Sequence, residues 1–112
     1  MESILTSIKK LLGITEEYDH FDADLIMHIN SVFLILTQLG VGPSEGFFIE
    51  DDSSVWSDFI EGNNLEMVKS YMGQKVQLLF DPPDRPALME AKNRIIAEFE
   101  WRLRLAAESK EG

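Results

Sequence analysis

Cysteine is absent from this chain. Disulfides and thiolate metal sites are therefore excluded, and redox chemistry says nothing of the compartment. Long apolar runs are absent too. The longest is Val32 to Leu36, far short of the roughly 20 residues a membrane-crossing helix needs. Met1 to Leu12 lacks the basic start, apolar run and small-residue cleavage site of a secretory signal, so a soluble chain made in the cytoplasm is expected. The most telling shortage is of positive charge. Between Leu11 and Val68 there is no Lys or Arg against twelve Asp and Glu, whereas Lys69 to Gly112 holds eight basic and seven acidic residues. The net charge of −10 thus belongs to the first 68 residues. Binding DNA phosphates needs clustered Lys or Arg, and this acidic portion would repel them, so sequence-specific DNA binding is not expected. Acidity of this kind favours solubility, and it equally suits a surface past which DNA must move without sticking.

Catalytic chemistry is equally sparse. The chain has no Gly-rich phosphate loop, no Ser in a strained elbow, and no His paired with acids at catalytic spacing. Carboxylate pairs are inevitable among 20 acidic residues, and none lies in an apolar setting that would raise its pKa. His20 and His28 share no carboxylate at ligand spacing, and His28 reads as a residue hydrogen-bonded in or near the core. Glu50-Asp51-Asp52 lacks the alternation and central Gly of a Ca²⁺ loop. The expectation is no enzyme, no metal and no cofactor.

What the chain does have is helical periodicity, and the fold class expected is all-α, a small helical bundle in one domain spanning 1–112. A hairpin runs from Asn64 to about Ser109, broken at Asp81-Pro82-Pro83, where two prolines supply no amide donor. Its first arm, 64–80, aligns Leu65, Val68, Met72, Val76, Leu79 and Phe80, with Asn64 as N-cap. Its second arm, 84–108, begins at an Asp84 cap with Pro86 in the first turn, and would be about 37 Å long. One stripe of this arm carries Leu88, Ala91, Ile95, Phe99, Arg102, Leu103 and Ala106. Met89, Ile96, Ala97, Trp101 and Leu105 lie off it. A Trp and a Leu on the back of a packed helix point to a second partner, because so small a chain has few helices to spare.

Upstream, Ser3 caps a helix over 3–12 that aligns Ile4, Leu5, Ile8, Leu11 and Leu12, ends in Lys9 and Lys10, and stops at Gly13. Asp22 is placed to cap a helix over 22–39 that ends before Gly40. Its stripe of Leu25, Ile29, Val32, Phe33, Leu36 and Leu39 is widened by Met27, Leu34 and Ile35, the mark of a helix packed on several sides, inside the fold or between copies. Turn residues follow from Val41 to Gly46, and an extended or hairpin excursion is expected around 44–52. The adjacent Phe47 and Phe48 imply that its tip is covered by the bundle or by a neighbour. A short helix over 54–60 carries Trp56 and Phe59 as anchors to the bundle.

These same residues resemble a known family. The run Phe21-Asp22-Ala23-Asp24-Leu25-Ile26 to Gly40-Val41-Gly42-Pro43, then Trp56 with Phe59, Tyr71 with Lys75-Val76, Leu78-Leu79-Phe80-Asp81-Pro82-Pro83, and Glu98-Phe99-Glu100-Trp101-Arg102-Leu103 resembles the head–tail connector, or neck adaptor, proteins of long-tailed bacteriophages. The resemblance runs in order from about Leu11 to Leu103. It implies a small α-helical adaptor of the virion neck, a homo-oligomeric ring of about twelve copies beneath the portal protein. Such a ring extends the DNA channel and offers a platform to the next neck or tail protein. In that family the C-terminal helix makes the portal-side contact. Gly73, inside the first arm, departs from expectation and suggests a close helix crossing.

The candidate portal or subunit interface is accordingly Met89, Ile96, Trp101, Leu105, Met27, Leu34 and Ile35. Candidate channel-facing acids are Glu45, Glu50, Asp51 and Asp52. The alternative from another class is a small acidic monomeric or dimeric regulator that inhibits a basic partner.

Overall fold

The computed structural model describes residues 2–111, with side chains through residue 109, so Met1 and Gly112, the ends of the expected domain, lie outside the described residues. Five helices follow in order: α1 (Ile4–Leu11), α2 (Asp22–Gln38), α3 (Trp56–Phe59), α4 (Leu65–Phe80) and α5 (Pro86–Glu111). No strand occurs among the described residues, only an isolated bridge between Ser3 and Val55. The fold is all-α.

Each long helix owes its limits to local chemistry. Ser3 Oγ accepts from the Thr6 amide at 3.0 Å, and Gly13 takes φ +79° just beyond α1, as capping requires. Asp22 does not cap α2. It is the first helical residue, and its Oδ1 is drawn instead to the ammonium of Lys9 at 2.9 Å. Lys9 is 3% exposed and also donates to the Glu16 carbonyl at 2.9 Å. One buried cation therefore ties the end of α1, the following loop and the start of α2. Asn64 makes no side-chain cap on α4, and α5 starts at Pro86, with Arg85 rather than Asp84 accepting its first backbone bond, from Met89.

Helix α4 is the middle of the structure. Val68, Tyr71, Met72 and Val76 are fully buried between Leu25, Ile29, Val32, Phe33 and Leu36 of α2 and Ile96 and Leu103 of α5. At about 1.5–3 kcal/mol per fully buried large aliphatic or aromatic side chain, this seam dominates the stabilisation. Helices α2 and α5 each pack extensively on α4 and little on each other, while α1 covers α2 and α4. The result is a plate of 43 × 37 × 20 Å in which α2 and α5 both pack on α4.

The excursion is a loop, without strand or hairpin. Its base is fixed by Phe47 and Phe59, whose rings lie 5.0 and 4.7 Å from that of Phe33, and by Trp56 Nε1, which donates to Ser7 Oγ at 2.8 Å. Gly42, at φ +83°, leaves room for Phe59 where any Cβ would collide. Trp56 and Phe59 are buried anchors, as expected. Gly73 does face a close neighbour from another helix, Leu11 at the end of α1. The atom in its path is Leu11 Cδ1, 2.8 Å from where a Cβ would stand, on an otherwise exposed side chain. Leu11 and Leu79 are therefore outside the core despite lying on the expected stripes.

Candidate functional site

The length of α5, 26 residues or about 39 Å, gives it more surface than α4 can cover. Its inward face is built on Ile96 and Leu103, flanked by Phe99 and Ala107. Polar clasps fix that rotation. Tyr71 donates its hydroxyl to Glu100 Oε2 at 2.7 Å, and Lys92 donates to the side-chain carbonyls of Gln74 and Gln77, both at 2.7 Å. Burial, reinforced by the Glu100 carboxylate, holds the Tyr71 phenol well above its ordinary pKa, and burial lowers that of Lys92. Lys75 lies 4.0 Å from the same Glu100 oxygen.

This rotation corrects the expected stripe. Leu88 and Ile95 face solvent, and Ile96, expected at an interface, is 3% exposed and belongs to the core of its own chain. A helix apolar on both sides does not reveal by period alone which side its neighbour takes. Trp101 and Leu105 do lie on the back of α5, 58% and 41% exposed. Met89 is half-buried.

Helix α2 behaves alike. On α2, Met27 and Leu34 are seven residues apart, on the side away from the core, and 58% and 61% exposed, while Ile35 is half-buried against the core. Apolar side chains thus stand exposed on both α2 and α5.

Between α2 and the acidic loop stands a clamp that no periodicity announces. Asn30 Nδ2 donates to the Ile49 carbonyl at 2.9 Å, and the Ile49 amide donates to Asn30 Oδ1 at 2.7 Å, fastening the loop to the middle of α2. Glu45, Glu50, Asp51 and Asp52 are all exposed on this loop. Asp51 accepts from the Ser53 hydroxyl and amide, which holds its carboxyl below the usual range. The side-chain period missed Asn30 because a polar residue on a helix flank reads as solvated.

Among the described residues, no group of three or more His, Asp or Glu is placed to hold a metal, and no helix is long and apolar enough to cross a membrane. His28 stacks its edge on Phe80 at 6.4 Å between ring centres. The part-buried polar pairs, Tyr71–Glu100, Lys92–Gln74 and Asn30–Ile49, clasp helices and pin a loop. A family model described as phage connector protein matches residues 4–110, and the chain belongs to that family. No curated protein and no solved structure matches it. The chain is thus a phage connector component with a structural role in joining head and tail.

Proposed function

We propose that the chain, acting as a single connector domain, forms a closed ring of about twelve copies in the virion neck, between the portal protein and the next neck or tail protein. The observation that carries this reading is the pair of exposed apolar faces: Met27 and Leu34 on α2, Trp101 and Leu105 on α5, two helices that each pack on α4. Two unlike faces meeting between copies make a heterologous contact, which closes into a ring when the rotation per subunit divides a full turn. Trp101 and Leu105, together with half-buried Met89 and Ile35, contribute to subunit or portal contacts, with the end of α5 on the portal side. Ile96 has no part in them.

The acidic half supplies the channel. Each carboxylate is repeated around the axis, so that a lining drawn from Glu45, Glu50, Asp51 and Asp52 repels DNA and keeps it from lodging. The role is mechanical and requires no catalysis. The experiment is replacement of Trp101 by Ala, followed by sizing of the chain at high concentration, alone and with portal. The expected result is lost or weakened assembly with helical circular dichroism unchanged. Undiminished assembly would remove Trp101 from the interface.

A further inference from the structure

Of the exposed large apolar residues that the ring reading leaves unused, Phe48 is the most exposed, at 68%. It is not a loose side chain. Phe47, before it, is wedged against Phe33 and Phe59, and Ile49, after it, is 2% exposed with both backbone groups held by Asn30. Phe48 and Glu50 are both exposed, one on each side of buried Ile49. A rigidly presented aromatic side chain with a carboxylate beside it is a preorganised knob, the kind of feature that dominates interface energies.

A matching socket lies on the same molecule. An open groove of about 680 Å³ runs between the end of α4 and the start of α5. Leu88, Ala91 and Ile95 form an apolar wall, Gln74 and Gln77 the other side, and Asp81 to Asp84 close one end. Lys92 also lines it, partly desolvated and held by two neutral carbonyls, with no ion-pair partner among the described residues. The groove offers apolar wall and unpaired cation; the knob offers aromatic ring and carboxylate.

The two cannot meet within one chain. The loop is fastened to α2 at Asn30, whereas the groove is lined only by the end of α4, the turn after it and the start of α5. We propose that Phe48 of one copy seats in the α4–α5 groove of the next, with Glu50 beside Lys92. This contact rests on the ring reading and specifies where neighbouring copies lock. Glu45, Asp51 and Asp52 stay free to face the channel.

The absence of Cys makes the test clean. A chain carrying Phe48→Cys and Ile95→Cys is concentrated and mixed with purified portal, oxidised mildly, and run without reductant. The contact gives a ladder of covalent multimers from the double variant, and none from either single variant or from Phe48→Cys with Arg94→Cys, which lies on α5 outside the groove. Phe48→Ala should raise the concentration for half-assembly roughly tenfold or more, without changing the unfolding midpoint, because the side chain is exposed. Rings that form without a ladder, and form equally well with Phe48→Ala, overturn the knob and leave the ring standing. No assembled species from the unaltered chain, alone or with portal, overturns the ring and the knob with it.

Discussion

Replacing Asn30 by Ala removes both hydrogen bonds that fasten the acidic loop to α2. The two backbone groups of Ile49 that lose their partners are almost sealed from water, with the residue 2% exposed. A buried polar group left unpaired costs about 1–3 kcal/mol. Allowing some relaxation of the loop, the pair is worth roughly 2–4 kcal/mol, against a total of about 5–15 for a domain of this size. At about 4 °C per kcal/mol, the unfolding midpoint should fall by roughly 8–16 °C. Thermal and urea unfolding followed by circular dichroism measure it. Asn30→Asp provides the control. Its carboxylate still accepts from the Ile49 amide but opposes the Ile49 carbonyl, so the variant should be destabilised at neutral pH. Because the folded carboxyl then holds its proton above the unfolded value of about 4, the variant should recover relative to the unaltered chain as pH falls towards 4, with recovery complete below it. A change under 0.5 kcal/mol for Asn30→Ala would mean that the clamp is ornamental, and that Phe48 is not held rigidly.

Lys9→Met should cost about 2–3 kcal/mol in urea unfolding, because it strands Asp22 Oδ1, which is buried and accepts no hydrogen bond from another described group; adding Asp22→Asn should restore most of the loss. Gly73→Ala should be neutral or stabilise by up to about 1 kcal/mol, since the obstructing Leu11 methyl ends an exposed, flexible side chain that can swing aside. A loss of more than 1 kcal/mol would show that Leu11 is fixed. Tyr71→Phe should cost about 1–2 kcal/mol at neutral pH by removing the bond to Glu100. The folded phenol titrates above its unfolded value of about 10, so its contribution is complete below that pH and lost as pH rises through the folded value. Stability of the unaltered chain should therefore decline above about pH 10 more steeply than that of Tyr71→Phe.

Punctuation was the legible part of the sequence. Ser3 and Gly13 bracket α1, Gly40 follows α2 at φ +87°, and Asp81-Pro82-Pro83 separates α4 from α5, each for a reason of backbone chemistry that neighbours do not override. Asp22 escaped the cap rule because a buried ammonium outcompetes a backbone amide for its carboxylate. The rotation of α5 was not legible either. Both candidate stripes are apolar, and the choice falls to Tyr71–Glu100 and Lys92 with Gln74 and Gln77, pairs separated by 15 to 29 residues that no local pattern connects. Trp101 and Leu105 were nonetheless readable as outward residues, because they lie off the stripe of Leu88, Ala91, Ile95 and Phe99 expected to pack. Phe48 was half readable: two adjacent Phe demanded cover, Phe47 finds it inside the chain, and Phe48 does not.

The claim beneath the assembly reading is that the exposed apolar faces of α2 and α5 are sheltered by other polypeptides. Electron microscopy of the purified chain docked on portal, at a resolution that shows side chains, tests it directly. The account predicts a closed ring in which Trp101, Leu105, Met27 and Leu34 lose their solvent exposure to neighbouring chains. A docked assembly in which Trp101 and Leu105 still face water, far from any other chain, would contradict it.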